Sequence, residues 1–373
     1  MSIRGNSTNP KVSVIIPVWN PGAGIRRCVS SLRNQTLRDI EMIFVDDCGS
    51  DGAMDVVRAA AAEDPRIRII MNAENVGPGI SRNAAIDVAR GEYLSFVDAD
   101  DYVDVDFLEI LYEKGKAERL DIVRGAFVYE REENGVYIQK YSNLNAKIRT
   151  GLSNGAPLFY LFHTQFQSAL YHSRLFANPD VRFGSTSHGE DTLFLLKVCC
   201  QCNAFAIDGK RTYRMNNHES SAENTFTKGS LENRIVAWKE EAEYLTNQTV
   251  PNPYASQYLA RNMKYYLALQ THVSRKAGME EVATGFLSDL RDLAANYLCK
   301  EGIKEDDLTI FALVRHGENL AEYPWFKSRH SVIVEEYADL LATWVRFLDA
   351  HPESRKNIER ASSVFGDVCA DLC

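Results

Sequence analysis

The sequence of 373 residues has no run of about 18 or more apolar residues, so no membrane-spanning helix is expected. Its first ten residues, MSIRGNSTNP, lack the apolar core of a secretory signal. No paired CxxC arrangement is present, which excludes the usual structural zinc site. Positive charge is also short: 42 Lys and Arg against 51 Asp and Glu leave a formal net charge of -9. That balance excludes a general nucleic-acid binder, which needs a basic face. No tandem repeat or low-complexity tract is evident.

What remains is an ordinary globular composition, 45% hydrophobic and 25% charged. The length exceeds one typical core, so a large domain with a smaller one is expected. The eight cysteines are irregularly spaced. Cys199, Cys200 and Cys202 fall in a predicted helix, where thiols act as small apolar residues. Reduced cysteines and a cytoplasmic location follow as expectations, with attachment to the inner face of the membrane left open.

Val12–Val18 is a nearly continuous β-branched run, as expected of a strand buried on both faces. Further apolar runs follow at Met42–Val45, Ile67–Met71 and Tyr93–Val97, separated by helical spacings and turn residues. This alternation predicts an α/β fold with a mainly parallel sheet. Pro17–Asn20, Asp46 and Asp47, Asn72 and Asn75, and Asp98–Asp101 each follow one predicted strand. All four clusters therefore fall along the carboxyl edge, where open parallel sheets bind ligands. Strand-end Asp and Asn also serve as turn formers and caps.

Asp47 could accept a ring N–H such as N3–H of uracil, pointing to a uridine nucleotide. Asp98 and Asp100 share one side of an extended segment. Such a pair, with a diphosphate, suits Mg²⁺ or Mn²⁺. Asp101 and Asp104 read as turn and cap residues, Asp104 opening a helix over Phe107–Leu120. Arg82 begins a helix after a glycine-containing loop and suits either a phosphate or a neighbouring aspartate. Glu190 and Asp191 open another helix, either as favourable charges at its N-terminus or as a general base. Tyr213-Arg214 leads into a polar stretch that reads as a loop, in which His218 is either a metal or phosphate ligand or a histidine without a role.

The stretches VSVIIPVWN, FVDDCGSDG, NVGPGISRNAAIDVARGEYLSFVDADD, and GEDTLF followed by YR resemble glycosyltransferase family 2, over roughly residues 11–220. The resemblance implies the GT-A fold, a Rossmann-like sheet flanked by helices. It also implies inverting transfer from a nucleotide diphosphate sugar, and with the reading of Asp47 above a UDP-linked donor is expected. Pro17 and Asn20 would border the nucleotide, Asp47 would contact the base, and Asn75 would lie in the same site. Asp98 and Asp100 would form the metal-binding DxD, and Asp191 would be the catalytic base beside Glu190. Arg82 or Arg214 would help the diphosphate depart. The acceptor at family level is a hydroxyl of a glycan or a lipid-linked acceptor in bacterial surface polysaccharide assembly.

Two departures are mild: Trp19 stands where the family often has tyrosine, and Cys48 where a small residue is usual. No QxxRW motif follows the GED, which argues for single-sugar addition rather than a processive synthase. A sugar-nucleotide pyrophosphorylase would need arginine and lysine in the first loop, and PVWNPGAG has neither. A non-catalytic scaffold would be expected to lose Asp98, Asp100 or Asp191. The catalytic domain is placed at residues 1–227, and 228–373 reads as a mainly α-helical C-terminal region. Its apolar stripes would pack on the catalytic domain or a second subunit, or touch a membrane surface.

Overall fold

The computed structural model describes residues 9–133, 136–141, 151–152, 166–186, 188–216 and 227–247, with a few positions between 278 and 289. The chain divides into two compact units, Met1–Thr225 and Phe226–Cys373.

The first unit begins with four strands separated by three helices. Strands β1 (Val12–Val18), β2 (Ile40–Asp46), β3 (Ile67–Met71) and β4 (Tyr93–Phe96) alternate with helices α1 (Gly24–Arg33), α2 (Ala53–Glu63) and α3 (Pro78–Ile86). The four strands are parallel in the order β3-β2-β1-β4. Every residue of β2 is buried and only Pro17 of β1 is partly exposed, which explains their near-continuous apolar composition. Helix α1 sends Ile25, Cys28, Val29 and Leu32 into the core, at the spacing of one helix face.

Beyond β4 the sheet becomes mixed. After the two-residue β5 (Tyr102–Val103) and helix α4 (Phe107–Glu118) come β6 (Ile122–Glu133), β7 (Val136–Tyr141), β8 (Gly151–Leu152) and β9 (Ala169–His172). A 3₁₀ turn (Ser173–Ala177), helix α5 (Glu190–Gln201) and β10 (Ala204–Asn216) complete the unit's described elements. Strand β9 is antiparallel to both β4 and β6, while β10 runs parallel to β6. The sheet is thus parallel where the first four expected strands lie and mixed on its other half.

In the second unit the described helix is α6 (Lys228–Thr246). Thr227 and Ser230 cap it reciprocally, and Trp238, Ala242 and Leu245 are buried. Of the helical sequence beyond residue 247, only a few positions are described, the buried Phe286 among them. Among the described residues no helix is long and apolar enough to cross a membrane.

Candidate functional site

Because β1 to β4 are parallel, their carboxyl ends share one edge. The register aligns Val18 with Asp46 and Asp46 with Met71, so the residues following these strands stand side by side. Pro17 is the one partly exposed residue of β1. Asn20 adopts a left-handed φ of 49°, and its Oδ1 accepts from Ser50 N–H at 2.7 Å. Asp51 answers by accepting from Gly22 N–H at 2.7 Å. These two bonds knit the loop after β1 to the loop after β2. Between them Trp19 is 58% exposed, an aromatic face that charge and spacing alone did not single out as functional.

Asp47 is only 2% exposed. Its Oδ1 accepts from Asn72 Nδ2 at 2.8 Å and Val76 N–H at 3.0 Å, and its Oδ2 from Gly77 N–H at 3.0 Å. Asp47 thus organises the loop after β3, spending three of the roughly four acceptor positions of a carboxylate. Asn75 is an exposed member of that loop.

The DxD segment is held from several sides. Asp98 N–H donates to the Tyr213 hydroxyl at 3.2 Å, and that hydroxyl donates to Asp101 Oδ2 at 2.8 Å. Asp101 also accepts from Asn216 N–H. It is therefore a buried anchor rather than a plain turn residue, and burial followed by the charges of Asp100 and Asp98 pushes its carboxyl well above the usual range. The backbone of Asp100 leaves no room beside Gly24, where an added Cβ would stand 2.8 Å from Asp100 Cα.

Arg82 pairs with a nearby aspartate, one of the two readings its sequence position left open. It is 4% exposed and donates through Nη2 to Asp98 Oδ1 at 2.8 Å, while Nη1 reaches Glu190 Oε1 at 3.4 Å. The rings of Phe166 and Phe183 lie 4.6 and 5.1 Å from its guanidinium carbon. A buried cation needs counter-charges, and these two carboxylates supply them. Burial opposes its charge, but Asp98 and Glu190 outweigh that and raise its pKa.

Glu190 and Asp191 open α5. Glu190 is buried, and that burial, reinforced by Asp191 and opposed by Arg82, lifts its carboxyl from 4.5 to about 7. Asp191 Oδ1 accepts from Thr192 N–H at 2.8 Å. The segment before α5 is fastened to α3 by Asn83, whose amide donates to Phe183 C=O and accepts from Phe183 N–H. Arg82 and Asn83 therefore bring the acidic pair to the end of β4.

Asp104 has a partner that the sequence did not show. Arg214 forks onto Asp104, through Nε at 3.2 Å and Nη2 at 3.0 Å, with Glu130 3.8 Å from Nη1. That bidentate, charge-assisted pair fixes the guanidinium of Arg214 beside Asp104. The cap residue of α4 is Asp106, not Asp104. His218 lies outside the described residues.

Among the described residues no group of three or more His, Cys, Asp or Glu side chains forms a metal cage. A hard cation that takes most ligands from a diphosphate needs only one or two protein carboxylates. The donor chemistry of the DxD fits that mode. Asp98 is engaged by Arg82 through Oδ1 and by Gln167 Nε2, at 2.7 Å from Oδ2.

A Rossmann-like parallel half, a mixed second half and an acidic carboxyl edge define the GT-A class, to which the fold belongs. The comparisons agree. The chain aligns with S. aureus TarS 1–349, solved in complex with UDP-GlcNAc, at a TM-score of 0.65 and 19% identity, covering 90% of this chain and 92% of that one. Residues 13–178 match the description "Glycosyl transferase family 2", and that span is a glycosyltransferase family 2 domain. The sequence is 34% identical over 214 residues to "Uncharacterized glycosyltransferase EpsJ" of Bacillus subtilis, covering 56% of this chain and 62% of that protein. It is 39% identical over 118 residues to the poly(ribitol-phosphate) beta-glucosyltransferase of Bacillus spizizenii, covering 31% and 19%. The matches span less than two thirds of either relative. Glu190 and Asp191 lie beyond the matched span.

Proposed function

We propose that the chain moves a single sugar from a nucleotide diphosphate sugar, UDP-linked, to a hydroxyl of a glycan or lipid-linked acceptor, with inversion at the anomeric carbon. One observation carries this reading: Arg82 bridges Asp98 of the DxD to Glu190, 108 residues further along than Arg82, so that the nucleotide edge and a second acidic pair share one site. Bacterial surface polysaccharide synthesis is the setting in keeping with relatives such as the poly(ribitol-phosphate) beta-glucosyltransferase.

In this reading Pro17, Asn20 and the exposed Trp19 border the nucleotide. Asp47, with one acceptor position left, meets the base and holds the loop carrying Asn75. Asp98 faces the donor and Asp191 takes the proton of the acceptor hydroxyl. The freed oxygen attacks the anomeric carbon from the side opposite the diphosphate, whose bond to that carbon breaks. Glu190, paired with Arg82, holds the neighbouring Asp191 in place. With Arg82 and Arg214 both bound to carboxylates, a divalent cation at Asp100, Mn²⁺ or Mg²⁺, supplies the neutralising charge for the leaving diphosphate when bound.

Asp191→Asn tests the assignment. It should lower transfer by about 10²–10⁴-fold, the usual contribution of a general base, with nucleotide binding by calorimetry kept within about twofold. Full activity in the variant would remove Asp191 from the mechanism.

A further inference from the structure

We propose that Gln167 is a positioning residue that, together with Arg82, fixes how Asp98 meets the donor; this rests on the donor site proposed above. Gln167 precedes β9 and lies 69 positions from Asp98 in sequence, yet its Nε2 stands 2.7 Å from Asp98 Oδ2. Arg82 holds the other oxygen at 2.8 Å. The backbone of Asp98 is tied as well, through its N–H to the Tyr213 hydroxyl and through its carbonyl, which accepts from the Cys28 thiol at 3.7 Å. With one donor on each oxygen, the carboxylate plane is set and each oxygen keeps a lone pair for a ligand hydroxyl.

The aim of Gln167 is itself built in. The next residue, Ser168, has φ 58°, in the left-handed region that a residue with a Cβ adopts at a cost. Strand β6 holds that kink: Gly125 N–H donates to Ser168 C=O at 2.7 Å, and Ser168 Oγ donates to Ala126 C=O at 3.1 Å. Gln167 is 8% exposed, and its Oε1 finds no hydrogen-bond partner among the described residues. Burying half of an amide unpaired is unfavourable, and the bond from the other half to Asp98 is what the placement secures. A neutral donor suits this task because a second cation would draw the carboxylate's charge away from the ligand, while a second carboxylate would repel it.

The experiment is a double-mutant cycle on donor kinetics. It uses whichever member of a panel of UDP-, GDP- and dTDP-linked hexoses the full-length wild type turns over. Gln167→Met keeps the side-chain length and removes the donor; it should raise the donor KM about tenfold, the scale of one hydrogen bond to a charged group. In an Asp98→Ala background the same change should move KM by less than about twofold, because the group through which Gln167 acts is gone. Wild-type kinetics with a lowered melting temperature would make Gln167 merely structural, and multiplying effects in the cycle would mean that it acts on the donor without Asp98; either overturns the inference. Should Gln167→Met fail to fold, Gln167→Glu keeps the shape and sets a carboxylate against Asp98. It should raise KM likewise, and an unchanged KM overturns the inference. Turnover of no panel member by the wild type defeats the donor reading itself, and the inference with it, a result distinct from a normal donor with an unaffected Gln167 variant.

Discussion

Arg82 has two anionic neighbours, Asp98 at 2.8 Å and Glu190 at 3.4 Å, and two aromatic rings beneath it. Removing it leaves both carboxylates without their cation in a poorly hydrated place. Arg82→Met should therefore destabilise the protein by about 3 kcal/mol, the lower end for a broken buried pair because Asp98 keeps some solvent contact. Urea titration reads that loss directly. Glu190 adds a pH dependence. Burial, with Asp191, raises its carboxyl from 4.5 to about 7 against the pull of Arg82, so the folded protein holds this proton more tightly than the unfolded chain. The stability it contributes is full below about pH 4.5 and is lost as the pH climbs through about 7. The unfolding free energy of wild type minus that of Glu190→Gln should accordingly fall across this window, and a flat difference would show that Glu190 titrates normally.

At the level of elements, α3 is the part that carries the acidic pair to the sheet edge, and Gly79 is its contact point. A Cβ there would stand 2.5 Å from Gly184 C=O and 3.1 Å from Glu190 Cγ. Gly79→Ala should push the segment before α5 away from α3, costing about 1–3 kcal/mol in stability and lowering transfer more than nucleotide binding. Thermal melts with activity assays check both. The parallel half of the sheet could be read from sequence because β1 and β2 are buried runs of β-branched and apolar residues bounded by turns. The mixed half could not: β6 ends in charged residues, β9 has four residues, and both pair with strands distant in sequence. The site divides the same way. Asp46, Asp47 and Asp98–Asp101 were legible because each closes or follows a strand, whereas Glu190 beside Arg82 and the partners of Arg214 and Gln167 lie 108, 110 and 69 residues away, where spacing carries no signal.

For the whole molecule, a formal charge of -9 opposes any anionic donor, and Arg82 and Arg214 are paired with carboxylates. The proposed divalent cation would offset that repulsion at the diphosphate. The most direct measurement is release of nucleotide diphosphate from a panel of UDP-, GDP- and dTDP-linked sugars, with Mn²⁺ and after chelation by EDTA. The account predicts that one UDP-linked sugar is turned over with Mn²⁺ and that chelation abolishes release. Equal turnover in EDTA, or binding of no nucleotide sugar at all, would contradict it.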